Sequence, residues 1–231
     1  MSEPASKRGR SHDAEGTQQI ILDAAEEVFA EHGFDGARID AIAQVAGYNK
    51  SLIFQYFDDK LGLYSAVIRR ADDQTRVWQN EALGSFLAAK PSMDPGEISD
   101  LLRKYVGLYF DYLVEHPRIL RIYMWEMAEG WQTFSRIVSQ RDFDDVDQFA
   151  PVLAKLQGAG LLRSDLNPLL QLSPALFVAA LYLALLPLYK VLLPNIDFYS
   201  ASELAHARQF VIEFTVNGLL NIPTEAKPGK R

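Results

Sequence analysis

The sequence predicts an all-α protein made of a small N-terminal domain and a larger helical domain. Apolar residues recur at helical spacing through most of the 231 residues, and no apolar–polar alternation of useful length predicts a strand. The chain is longer than one small helical domain and can bury a sizeable core. The predicted boundaries are 1–16 for a flexible basic tail, 17–62 for a three-helix domain, 63–221 for the larger domain and 222–231 for a disordered tail.

The first predicted helix braces the N-terminal domain. We expect it over residues 18–32, with Thr17 as its cap and Gly33 as its end. Its apolar residues lie on one stripe, which gives the helix a face to pack on the next two. That stripe consists of Ile21, Ala24, Ala25, Val28 and Phe29.

Residues 39–60 predict two short helices joined by a tight turn. In the first helix, apolar and small residues share one stripe, so a second helix can approach closely. Gly47 follows that stripe directly, and glycine reaches the left-handed conformation that ends a helix at little cost. The stripe consists of Ile39, Ile42, Ala43 and Ala46.

The second short helix is expected over residues 50–57, with Asn49 as its N-cap. The side-chain oxygen of Asn49 can accept a hydrogen bond from the backbone N–H near Leu52. Ile53 and Phe57 are spaced i, i+4 and form the buried side. Lys50, Ser51, Leu52 and Gln55 are left facing outward, and such a polar first turn is what the DNA major groove admits.

These residues resemble the N-terminal pattern of the TetR family of transcriptional regulators, closely over about residues 17–65. The resemblance implies a helix-turn-helix DNA-binding domain followed by a ligand-binding and dimerisation domain. It also implies a homodimer on a pseudo-palindromic operator, released by a small-molecule effector, with no cofactor. The implied DNA-binding residues are Arg38, Tyr48, Asn49, Lys50, Ser51, Leu52, Phe54, Gln55, Tyr56 and Lys60.

Four positions depart from the family pattern. Asn49 stands where serine or threonine is common, and asparagine caps a helix equally well. Ser51 replaces a frequent glycine and offers a hydroxyl, whereas Phe54 replaces a frequent tyrosine and cannot donate to a phosphate. Arg38 stands where a capping threonine is common, which weakens the start of the helix but adds a cation near the DNA backbone. Taken singly, a Lys, Gln or Ser on a helix face is ordinary solvated surface, so the interpretation depends on their joint spacing.

The net charge of −7 runs against the basic face usual in a DNA-binding protein. We expect the acidic residues to lie away from the DNA side. They are Glu26, Glu27 and Glu31 on the first helix and those in the stretch 142–147. The N-terminal tail is basic, with Lys7, Arg8 and Arg10. That tail is either plain disorder or an arm that touches DNA. The competing hypothesis is a helical protein-interaction module that has lost DNA binding.

The remaining segments also predict helices. A long one runs from Lys60 to about Ala82, a Pro- and Gly-containing loop spans residues 88–96, and a further helix ends at His116 and Pro117. The segments 168–193 and 202–220 are apolar enough to need cover from a partner subunit, which predicts a homodimer interface there. The 15-residue uncharged run at 175–189 is too short for a membrane span, which needs about 20 residues.

Aromatic and Met residues in the middle of the chain are candidates for an effector pocket, although ordinary core is the commoner role for such residues. Glu126 interrupts an apolar stretch and either orients a ligand, caps a helix or pairs with Arg121. The ligand-binding candidates are Tyr105, Tyr109, Tyr112, Met124, Trp125, Met127, Trp131, Phe177 and Tyr182.

Enzymatic chemistry finds little support in the sequence. There is no cysteine, no glycine-rich phosphate loop and no G-x-S-x-G, and the four histidines have no metal-ligand pattern around them. Glu203 and His206 are spaced i, i+3, which is more often a surface pair than a metal site. The lack of cysteine and of a signal peptide fits a cytoplasmic protein without metal or cofactor.

Overall fold

The protein is all-α in a computed structural model that describes residues 7–88, 94–139, 153–163, 165 and 167–220. Within these residues the only β-type pairing is an isolated bridge between Leu162 and Leu220. The predicted fold class is therefore confirmed. The helices are α1 (Lys7–Gly36), α2 (Ile39–Ala46), α3 (Lys50–Phe57), α4 (Lys60–Ala88), α5 (Pro95–Glu115), α6 (Pro117–Ala128), α7 (Gln132–Val138), α8 (153–158), α9 (Pro168–Leu192) and α10 (Ala201–Leu219).

The described residues form two compact units whose division differs from the predicted boundary at residue 62. The first unit contains the residues up to Gln74 and also those from His116 onward to residue 139. The second contains Thr75–Glu115 and the residues from 153 onward. The first part of α4, together with α6 and α7, thus joins the helix-turn-helix. A division by sequence position alone could not anticipate this discontinuous unit.

The first unit is built around α1, which packs against α2 and α6. Its core contains Ile21, Ala25 and Phe29 from the predicted stripe, and the Tyr64 ring of α4 packs edge-on against Phe29 with 4.8 Å between ring centroids. Arg70 of α4 donates to Asp23 on α1 across 2.6 Å. These contacts join α4 to α1, the helix against which α2 packs.

The predicted start of α1 at Gln18, with Thr17 as its cap, is wrong. The helix begins at Lys7, so residues 7–16 of the predicted tail are helical. Those residues contain no proline, so the helix can continue through Gly9 and Gly16, although each glycine costs about 1 kcal/mol relative to alanine. The expected break at Gly33 is present, with φ 66 and ψ −179, and one further turn follows it.

The second unit has a core of α5, α9 and α10. Ile98 and Phe110 of α5 are buried with Ala179 of α9 and Val211 of α10. Two arginine–carboxylate pairs join α5 and α10 near the surface: Arg208 with Asp111 at 2.8 Å, and Arg103 with Glu213. Packing of the apolar faces dominates the stability of this unit, because such partly exposed ion pairs contribute little.

Several sequence-based expectations fall outside the described residues. They concern positions 1–6, the acidic stretch 142–147, most of the loop 88–96 and the tail 222–231. Among the helices of the described ranges, none combines the length and the apolar character needed to cross a bilayer.

Candidate nucleic-acid interface

The first short helix and its turn match the sequence prediction. Ile42, Ala43 and Ala46 of α2 are buried, and Gly47 ends the helix at φ 73. A Cβ on Gly47 would meet nothing within 4 Å, so the glycine is needed for its backbone conformation and not for space. The turn therefore follows directly from one residue type at one position.

The second short helix begins as predicted. The Oδ1 atom of Asn49 accepts a hydrogen bond of 2.8 Å from the backbone N–H of Leu52. Ile53 is fully buried and Phe57 nearly so, which anchors α3 on the rest of the unit. A capped helix with two anchors on one side presents its other side in a fixed orientation.

The residues predicted to contact DNA are mostly accessible. Arg38, at the start of α2, lies in extended backbone and makes no side-chain cap. On the turn and α3, Tyr48, Leu52 and Tyr56 are half-buried. Asn49 on the turn is exposed. The exposed residues of the helix itself, which we call the open face of α3, are Lys50, Ser51, Phe54 and Gln55.

Lys50 has a carboxylate partner in the free protein. Its Nζ atom lies 2.5 Å from Oδ1 of Asp40 on α2, and both side chains are largely exposed. An exposed pair of this kind is weak and is screened by salt. A phosphate or a guanine edge can therefore compete with Asp40 for the Lys50 ammonium.

Lys60 is less available than the sequence indicates. Its Nζ atom donates to the backbone carbonyl of Asp35 over 3.2 Å and lies 4.7 Å from the centroid of the Phe34 ring. Desolvation by burial lowers the pKa of Lys60, although the charges of Asp35 and Glu129 oppose this shift. The side chain thus ties the start of α4 to the end of α1.

The turn between α3 and α4 contains two residues that the sequence analysis missed. The Oδ1 atom of Asp59 accepts from the backbone N–H of Gly62 over 2.7 Å, which caps α4. A Cβ on Gly62 would lie 2.1 Å from the carbonyl oxygen of Phe57, so only glycine fits. An Asp three residues before Gly at a helix start was a readable capping signal.

Glu126 has a structural role. It is 1% exposed, and its Oε1 and Oε2 atoms accept from the Tyr64 hydroxyl at 2.7 Å and the Phe134 backbone N–H at 3.0 Å. The sequence left three roles open for Glu126: orienting a ligand, capping a helix or pairing with Arg121. The structure shows the cap, because Glu126 accepts the Phe134 N–H at the start of α7. Its other oxygen accepts from Tyr64 and not from Arg121. Burial of the ring and the bond to Glu126 raise the pKa of Tyr64.

Trp125 packs where α1 breaks. Its indole N–H donates to the Ala30 carbonyl over 3.2 Å, and a Cβ on Gly33 would lie 3.1 Å from its ring. The backbone of Gly33 has a φ/ψ combination that is essentially restricted to glycine. Trp125 is thus a packing residue of the first unit, with 38% of its surface exposed.

The nine predicted ligand-binding residues divide between the two units. Met124, Trp125, Met127 and Trp131 belong to the first unit. In the second, Tyr105 and Tyr112 are buried, and burial raises the pKa of the Tyr109 hydroxyl. The candidates for an effector pocket are therefore spread over both units. The other two second-unit candidates are the half-buried Phe177 and Tyr182.

A second surface is apolar and belongs to α9 and α10. Phe210 and Phe214 of α10 stack with 5.9 Å between centroids, and they are 55% and 60% exposed. Leu181 and Leu188 on α9 are about half exposed, and Val191 is more so. We call these five residues the apolar face of the second unit. Exposed apolar surface of this kind is typical of interaction sites.

The fold and the open face of α3 define the class of protein: a helix-turn-helix protein with a larger helical domain. Residues 21–67 match the family described as bacterial regulatory proteins, tetR family, and residues 99–215 match the tetracyclin repressor-like C-terminal domain. The chain belongs to the TetR family. The resemblance stated from the motif is thereby confirmed and extends over most of the chain.

Relatives and solved structures agree with this assignment. The HTH-type transcriptional repressor SCO4008 of Streptomyces coelicolor is 34% identical over 52% of this chain and 54% of its own, so the chain spans about half of that relative. The HTH-type transcriptional repressor NicS of Pseudomonas putida is 30% identical over 68% of this chain and 71% of its own. The crystal structure of SCO4942 from Streptomyces coelicolor superposes with a TM-score of 0.58 at 25% identity, covering 88% of this chain and 98% of the other.

Proposed function

We propose that the protein is a homodimeric, sequence-specific transcriptional repressor that leaves a pseudo-palindromic operator when a small-molecule effector binds. The open face of α3, oriented by the Asn49 cap and the buried Ile53 and Phe57, carries this proposal. A helix of this accessibility and polarity fits the major groove, where each base pair presents a distinct set of donors and acceptors.

The apolar face of the second unit supports the homodimer. A face with Phe210 and Phe214 more than half exposed favours association, because burying the exposed part of each ring recovers about 1–2 kcal/mol of hydrophobic free energy. A twofold axis through it would set two copies of α3 for two half-sites. Dimerisation through α9 and α10 also follows the expectation drawn from segments 168–193 and 202–220.

The effector is proposed to act through the second unit. Tyr105 and Tyr109 of α5 offer aromatic surface and hydroxyl groups, and the Nε2 atom of Gln79 on α4 lies 3.4 Å from the Tyr105 hydroxyl. A ligand that repositions this part of α4 would change the spacing of the two recognition helices. Such a ligand must bind the DNA-incompetent arrangement more tightly, because equal affinity for both arrangements shifts nothing.

A regulator controlled by a protein partner is the second candidate. The apolar face of the second unit favours it, since the same surface fits a helix from another protein as well as a second copy. Under either candidate we assign the protein to the cytoplasm and assign it no catalytic activity.

Selection of DNA from a random library by the full chain tests the proposed function. We expect an enriched sequence with dyad symmetry whose half-site centres lie about 34 Å apart or a multiple of that, because a dimer presents two copies of α3. Sedimentation should show two chains per duplex. Failure of any sequence to enrich over the starting library would contradict the proposal, and enrichment by a single chain would contradict the dimer.

A further inference from the structure

The open face of α3 contains one apolar side chain among polar ones. Phe54 is 42% exposed, whereas the two other apolar anchors of this helix, Ile53 and Phe57, are buried. Lys50, Ser51 and Gln55 supply the polar groups of the same face. The Phe54 ring is therefore only partly packed, and it presents apolar surface to water.

The helix places Phe54 in the middle of that face. At about 100° per residue, Phe54 lies about 40° from Lys50 and about 60° from Ser51 around the helix axis. A long side chain on a helix leans toward the N-terminal turn, so the ring extends over the turn that contains Lys50 and Ser51. A base next to the one that Lys50 contacts would therefore lie within reach of the Phe54 ring.

A phenyl ring can recognise only one group in the major groove. It has no donor or acceptor for base edges or phosphates, whereas the C5-methyl of thymine is the apolar group that the groove presents. Contact with that methyl removes apolar surface of both partners from water. We propose that Phe54 is a specificity-determining residue that reads a thymine methyl in each half-site, beside the base contacted by Lys50. This inference rests on the proposed function.

The test replaces thymine by uracil, which removes the methyl and keeps the base pair. The probe is the duplex enriched from the random library, with each thymine replaced in turn in both half-sites. We expect one symmetric position at which uracil weakens binding by the wild-type chain about fourfold per half-site, the effect of one buried methyl. Other positions should change less than about twofold.

Three variants assign the effect to the ring. Phe54→Ala should bind thymine and uracil duplexes equally, whereas Phe54→Leu, which keeps an apolar contact, should retain part of the preference. Val45→Ala, at an apolar residue of α2 that is 50% exposed and lies outside the open face of α3, should keep the full preference. Circular dichroism melting should show that all three variants are folded at the temperature of the binding measurement.

Two outcomes would overturn the inference in distinguishable ways. An enriched operator with a flat uracil scan, or a scan that Phe54→Ala leaves unchanged, would show that Phe54 reads no thymine while the proposed function stands. A library selection that enriches nothing would contradict the proposed function and remove this inference with it.

Discussion

The hydroxyl of Tyr64 on α4 donates a 2.7 Å hydrogen bond to Glu126 on α6, and both side chains are buried. The second oxygen of Glu126 accepts the Phe134 N–H at the start of α7. One carboxylate therefore joins three helices in the unit that supports the open face of α3. Such a buried carboxylate is tolerated only because donors reach both of its oxygens.

Tyr64→Phe removes one of those donors and nothing else. We expect the free energy of unfolding to fall by about 1–3 kcal/mol, because Glu126 stays buried with an oxygen unsatisfied. Urea unfolding followed by circular dichroism measures it. The control is Tyr199→Phe, whose ring is 52% exposed and whose change should be near zero. Equal stability of Tyr64→Phe and the wild-type chain would show that the bond contributes nothing.

Gly33 and Gly47, two of the three glycines with positive φ in the first unit, should differ in their tolerance of alanine. Gly33→Ala forces a glycine-only backbone conformation and crowds the Trp125 ring, so we expect a loss of about 3 kcal/mol. Gly47→Ala has open space and should lose only about 1–2 kcal/mol. Thermal unfolding of both variants checks the order. A reversed order would mean that Trp125 does not depend on the break at Gly33.

The Asn49 cap should be measurable through stability. Asn49→Ala leaves the Leu52 N–H without its side-chain acceptor, with an expected loss of about 1 kcal/mol, whereas Asn49→Ser retains a capping oxygen. Amide hydrogen exchange of residues 50–57 gives a local readout. If Asn49→Ala protects these amides as well as serine does, the cap is not what defines the start of α3.

Glu129 should make stability depend on pH. Desolvation by burial, and then the charges of Asp35 and Glu126, raise its pKa from 4.5. The folded state therefore binds more protons than the unfolded state above pH 4.5, and stability falls as pH rises through the raised pKa.

Glu129→Gln removes that dependence. The variant should match the wild-type chain near pH 4 and become the more stable of the two toward neutral pH, as followed by urea unfolding across the range. Glu115→Gln, at an exposed site, serves as the control. A stability difference that stays constant with pH would contradict the assigned shift.

The helix-turn-helix was readable from sequence because its determinants are local. Gly47 and Asn49 act through their own backbone and the next turn, and their positions set the bounds of α2 and α3. Tertiary contacts were not readable in the same way. They join residues that are far apart in the sequence. Examples are the hydrogen bonds from Tyr64 to Glu126, from Lys60 to Asp35 and from Trp125 to Ala30.

The predicted effector residues show the same limit. Tyr105 and Trp125 both read as aromatic residues at helical spacing, yet one belongs to the second unit and the other packs on α1. Apolar periodicity identifies which side chains need burial but not the surface that buries them.

The affinity of Lys50→Ala for the selected operator tests the central claim most directly. Fluorescence anisotropy would compare wild type, Lys50→Ala and Lys155→Ala, an equal charge change at an exposed site outside α3. We predict that Lys50→Ala alone loses about 1–3 kcal/mol on the operator and relaxes the preference at one base pair per half-site, with a smaller loss on scrambled DNA. Equal operator affinity of all three proteins would contradict the claim that the open face of α3 reads DNA.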